Sequence, residues 1–154
     1  MPRFTKFLAL VIGSAATMVL SPALPAAQSN GLVHYTIGQG RLPFSPAVRA
    51  GNTVYLSGQV GDESSGEDFQ AQARSAMDNI MAAARLAGMG ADDLAKCTVM
   101  LADMKNWEAF NKVYRTYFPS GRFPARSAFG VTGLAFGAAL EVECIGYMAT
   151  PPTR

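Results

Sequence analysis

Between residues 67 and 118 the chain carries two apolar stripes at helical spacing, and both are one-sided. From Glu67 to Met89 the positions Phe69, Ala73, Met77, Ile80, Ala84 and Ala87 step by three and four, the spacing of an amphipathic helix, and Gly88 and Gly90 bring it to an end. Asn106 is placed to cap a second helix, in which Trp107, Phe110, Val113, Tyr114, Tyr117 and Phe118 repeat until Pro119 and Gly121 stop it. One-sided helices need a surface to cover, and the rest of the chain supplies strands. Val33 to Ile37 is short and extended in character, Ala47–Ala50 and Thr53–Val60 flank Gly51-Asn52 as a hairpin, and Lys96 to Ala102 is rich in apolar and β-branched residues. Two more strands, 125–132 and 138–149, are joined by residues 133–137, and the prolines of Arg41 to Pro46 mark a loop. The pattern predicts an α+β fold with one mixed sheet and two helices on one face. The apolar residues of the other face then call for packing between subunits.

The start of the 154-residue chain has the features of a signal peptide. Arg3 and Lys6 precede an apolar run from Phe7 to Leu20, and small residues follow at 21–27. The run is short for a membrane span. The organisation expected is therefore a leader over 1–27, cleaved after Ala27 or Ala23, and one domain over 28–154, exported to the periplasm or secreted and free of the membrane after cleavage. The competing reading is an uncleaved anchor. Arg3 and Lys6 are two of 13 Lys and Arg, against 11 Asp and Glu, so the mature domain is neutral. No basic stripe remains for phosphate neutralisation, and nucleic acid is disfavoured as a partner.

His34 is the only histidine, and no cluster of ligand residues has metal spacing, so no metal site is expected. Asp92 and Asp93 lack a third ligand and read as a solvated turn. Cys97 and Cys144 both fall in apolar strand-like segments. An oxidising compartment would permit their pairing, but two buried free thiols are the favoured reading. Gly58, inside the second hairpin strand, leaves room for another group to approach the backbone.

From Pro43 to Ala149 the chain resembles the RidA/YjgF family of enamine/imine deaminases. The matching stretches are Pro43-Phe44-Ser45 with Ala47-Val48, then 54–61 (Val-Tyr-Leu-Ser-Gly-Gln-Val-Gly), then Thr98-Val99 with Leu101 and Asp103. Phe110-Asn111 with Tyr114 and Phe118, Pro124-Ala125-Arg126-Ser127 and Glu141-Val142-Glu143 complete the series. The resemblance implies a chorismate-mutase-like fold, a homotrimer with a pocket at each subunit interface, and no cofactor. It also implies hydrolysis of 2-aminoacrylate-like enamines or imines to 2-keto acids and ammonia.

Carried over by position, the resemblance implies that Arg126 grips the substrate carboxylate and Glu141 handles the water. A guanidinium offers parallel donors that match a carboxylate, and a positioned carboxylate can take a proton from water and return it to the departing nitrogen. The alternative for Arg126 is an ion pair with Glu141 or Glu143 that stitches subunits together. Glu143 is expected to be structural. Ser57, Gly58 and Asn111 match pocket-wall positions. Two departures stand out: Phe44 where the family often has tyrosine, and Ala128 where it often has cysteine. An apolar pocket lined by Phe44 and Phe136 would suit a bulkier, more hydrophobic side chain than that of aminoacrylate. A second functional class is a non-catalytic trimeric protein that binds small carboxylate metabolites with the same clamp.

Overall fold

Among the described residues six strands form one mixed sheet. The computed structural model describes residues 31–37, 43–61 and 68–149. The leader expected over 1–27 and the beginning of the proline loop at Arg41 and Leu42 lie outside them. The strands are β1 (Leu32–Tyr35), β2 (Ala47–Ala50), β3 (Thr53–Val60), β4 (Leu94–Leu101), β5 (Ala125–Gly130) and β6 (Leu140–Tyr147), and they lie in the order β1-β2-β3-β6-β4-β5. Only the β4–β5 pair is parallel. The hairpin of β2 and β3 turns at Gly51, whose φ of 59° is a conformation that favours glycine.

Helix α1 (Phe69–Leu86) is capped by Asp68, whose side chain accepts from the Gln70 amide at 3.1 Å. It ends where Gly88 takes a φ of 78° and the Met89 amide reaches back to the Ala84 carbonyl at 3.0 Å. Its buried face, including Ala73, Met77, Ile80 and Ala84, packs on β3 and β6. Helix α2 (Trp107–Arg115) is shorter than its aromatic stripe. Thr116 Oγ1 donates to the Val113 carbonyl at 2.7 Å, and the chain leaves through tight turns that still bury Phe118. Asn106 makes no side-chain cap. A 3-10 turn over Met104–Asn106 precedes the helix, and Asp103 caps that turn instead, accepting from the Lys105 amide at 2.9 Å.

A second correction, after the cap of α2, follows from register. Cys97 and Cys144 are not free thiols: they form a disulfide between β4 and β6, with Cα atoms 4.1 Å apart. Each strand alone shows only a buried cysteine. The antiparallel register sets the two directly opposite one another on the helix-covered face. The link joins residues 47 apart in sequence, which in the chain-entropy account removes about 4 kcal/mol of freedom from the unfolded state.

Alternation along β6 separates the faces. Leu140, Val142 and Cys144 are buried under the helices, whereas Glu141, Glu143, Ile145 and Tyr147 turn the other way. That second face also presents Tyr55 and Phe129, both about half exposed. It is the surface assigned above to packing between subunits.

Candidate functional site

Glu141 reaches its position because β3 contains a bulge and a glycine. Between Leu56 and Gln59 the β3–β6 register shifts, and Gly58 sits in that irregularity. A Cβ built on Gly58 would collide with Glu141 Oε1. The group that approaches this glycine is therefore the Glu141 carboxylate. Within β3, β2 pairs with Thr53 to Leu56, and beyond Ser57, whose amide still bonds the Pro46 carbonyl, no strand among the described residues pairs with β3 on that side. A cleft of about 590 Å³ runs beside it, lined by Phe44, Ser57, Gly58, Phe136 and Glu141 among others. Phe44 is carried there by a loop tied to β3: the Ser57 amide donates to the Pro46 carbonyl at 3.0 Å, and Ser57 Oγ donates to the Ser45 carbonyl at 2.7 Å.

Arg126 is held differently. From β5 its guanidinium lies over three rings of α2, with Cζ 4.7 Å from the centre of Tyr114, 5.1 Å from Trp107 and 5.5 Å from Phe110. Nη2 donates to Asn111 Oδ1 at 2.5 Å. Arg126, Asn111 and Tyr114 border a second cavity, of about 310 Å³, together with Arg115, Phe123 and Pro124. The Tyr114 hydroxyl is buried without a hydrogen-bond partner, and burial pushes its pKa up to about 12 against the opposing pull of Arg126.

The pleat keeps the two groups apart within one chain. Cys97 of β4 stands opposite Arg126 on one side and Cys144 on the other, while Met100 stands opposite Phe129 and Glu141. Residues 97 and 100 point to opposite faces. Arg126 thus lies on the helix side and Glu141 on the open side, with backbones roughly 14 Å apart for two strand spacings and three residue rises. Ser57, Gly58, Phe44 and Glu141 share one cavity; Asn111 and Arg126 share the other. Ala128 lines neither and packs against the core.

Helical spacing predicts Trp107, Phe110 and Tyr114 as core; Phe110 and Tyr114 are buried, Trp107 packs partly buried against them, and all three form the bed of the arginine. The available signal was Asn111 on the same helix, a polar residue set among the aromatic positions. Asp92 and Asp93 have structural partners. Asp93 Oδ2 accepts from the Gly90 amide at 2.8 Å, and Asp92 pairs with Ser120 and Arg122, which hold its carboxyl below the ordinary range. Among the described residues, no group of three or more His, Cys, Asp or Glu is placed to hold a metal.

A mixed sheet with two helices on one face and an arginine and a glutamate in separate open cavities defines a class of small α+β proteins. Comparison identifies which. Residues 39–148 match the endoribonuclease L-PSP family. The chain belongs to that family, which includes the RidA and YjgF proteins. Mouse 2-iminobutanoate/2-iminopropanoate deaminase is 40% identical over 108 residues, covering 67% of this chain and 79% of the mouse protein. RidA from an Antarctic Psychrobacter superposes with a TM-score of 0.65 at 34% identity, covering 79% of this chain and 97% of that one. Escherichia coli TdcF, solved with bound serine, gives a TM-score of 0.65 at 31% identity, covering 75% and 93%.

Proposed function

We propose that this protein hydrolyses enamine and imine intermediates derived from amino acids to 2-keto acids and ammonia, at sites built between the subunits of a homotrimer. The observation that carries the reading is the placement of the Glu141 carboxylate over Gly58, in an open cleft with room for a small molecule. The names of relatives such as the mouse deaminase support the reaction class. Because Arg126 and Glu141 face opposite sides of one sheet, a site that uses both takes them from different copies of the chain. The exposed apolar residues of the open face support such an assembly.

In this scheme Arg126, its orientation fixed by Asn111 and the α2 rings, binds the substrate carboxylate through paired N–H donors. That places the imine carbon near Glu141 of the neighbouring subunit. An enamine first becomes the imine by gaining a proton at its β-carbon and losing one from its nitrogen. Glu141 takes a proton from water as the oxygen adds to the imine carbon and passes it to the imine nitrogen. As the carbinolamine collapses, Glu141 moves the hydroxyl proton to the amino nitrogen, the C–N bond breaks, ammonia leaves and the keto acid remains. General acid–base assistance of this kind is worth about 10²–10⁴ in rate. Export fits the Cys97–Cys144 disulfide, since such links persist in oxidising compartments. Cleavage of the 1–27 leader would release the domain there.

The test is ammonia and keto-acid release from imines made in situ by an amino-acid oxidase, with mature protein, Arg126→Ala and Glu141→Gln compared. Acceleration over the buffer rate that both substitutions remove is the expected result. No acceleration with any imine would sink the enzyme reading. The serine bound to TdcF favours one alternative, a non-catalytic trimer that holds small carboxylates. Arg126-dependent binding of 2-keto acids by calorimetry, without turnover of any imine, would support it.

A further inference from the structure

Phe136 is the most exposed large apolar residue described, at 89%, and the only non-glycine described with positive φ, at 58°. A left-handed backbone is unfavourable for a bulky aromatic residue, and glycine or asparagine would adopt it more easily. The turn is nonetheless well tied. The Gly137 amide donates to the Leu134 carbonyl at 3.3 Å, Ala138 to Ala135 at 3.1 Å, and the Ala139 amide to Gln72 Oε1 of α1 at 2.9 Å. An aromatic side chain is therefore held out into solvent at the rim of the Glu141 cleft, which it lines together with Phe44.

Most of the rest of that wall is apolar, and each of its polar side chains is tied by a hydrogen bond to the backbone. Ser57 Oγ donates to the Ser45 carbonyl, Gln59 Nε2 to the Ser57 carbonyl at 3.1 Å, and Asn79 Nδ2 to the Val60 carbonyl at 3.1 Å. Between these groups stand Pro46, Val60 and Ala83. The cleft thus presents a reactive carboxylate beside an apolar wall with two exposed aromatic rings.

We infer that Phe136 is a specificity-determining residue, closing with Phe44 on the side chain of the substrate and selecting imines and keto acids whose side chains are bulky and apolar, branched or aromatic. The inference rests on the deaminase reading for its turnover arm only. A ring that covers an apolar side chain removes area from water in proportion to that side chain's size. A methyl side chain gains least.

The experiment compares kcat/KM for imines generated from alanine, leucine and phenylalanine, and calorimetric Kd for pyruvate, 4-methyl-2-oxopentanoate and phenylpyruvate. Both are run on the mature protein, Phe136→Gly and Phe136→Asn, two residues the turn accommodates without strain. The larger compounds should be favoured by about tenfold or more, as one or two buried methylenes allow. Both substitutions should shrink that ratio several-fold while native mass spectrometry shows an unchanged assembly. Equal or reversed preference in the unsubstituted protein, or a preference that survives both substitutions, overturns the inference. If no imine is turned over, the deaminase reading falls and the binding series alone decides: a size preference lost with Phe136 upholds the inference, and its absence overturns it.

Discussion

Arg126 is held by side chains, whereas Glu141 is placed by backbone. The arginine lies on a bed of Tyr114, Trp107 and Phe110 with Asn111 at one nitrogen, an arrangement already complete within one subunit. The glutamate depends on a bulge, a missing Cβ at Gly58 and a loop pinned by Ser57, and its cleft is open. The contrast teaches that the cation's orientation is set within one chain, whereas the cleft beside Glu141 is open among the described residues. Substitutions on the two sides should fail differently.

The largest effect belongs to Glu141→Gln. Turnover should fall by about 10²–10⁴ with circular dichroism and oligomeric state unchanged. A residual rate near that of the unsubstituted protein would remove Glu141 from the chemistry. Next comes the disulfide, which lies on strands shared by both halves. Reduction, or Cys97→Ala with Cys144→Ala, should lower unfolding free energy by about 2–4 kcal/mol in denaturant titrations, and loss of the bond should act on both halves together. Gly58→Ala should cost about tenfold to a hundredfold in kcat with a small change in melting temperature, since a 1 Å misplacement of a reacting group is that costly. The obstructed atom is the end of a flexible side chain, so the fold can yield where the chemistry cannot. Asn111→Ala is the mildest. The aromatic bed remains and the guanidinium can turn to water, so the loss should stay within about 0.5–1.5 kcal/mol, the worth of an ordinary hydrogen bond, and appear chiefly as a rise in KM of about two- to tenfold. If Asn111→Ala lowered kcat as much as Gly58→Ala did, the contrast between the halves would collapse.

Local patterns made much of the fold legible. The β2–β3 hairpin, both helices and the late strands follow from periodicity and turn residues, because each is decided within a dozen positions. Cys97–Cys144 was not legible, since pairing depends on the register between strands far apart in the chain. The same limit applied to the site. Arg126, Glu141, Ser57 and Asn111 could be named as candidates from motif order, but the placing of Arg126 and Glu141 on opposite sheet faces follows only from the registers of β4 with β5 and β6. Phe136 could be read as a wall residue, whereas its left-handed backbone is a property of the folded turn.

The central claim is that a working site takes its arginine and its glutamate from different subunits. Co-expressing Arg126→Ala and Glu141→Gln chains with different tags, then purifying through both, isolates trimers that contain each kind. In a cyclic trimer of either composition, one interface of the three joins an intact Arg126 to an intact Glu141, so about one third of the unsubstituted activity should return. Each variant alone should remain near background. If the mixed trimers are as inactive as their parents, with native mass spectrometry confirming their composition, the site does not span subunits and the account is wrong.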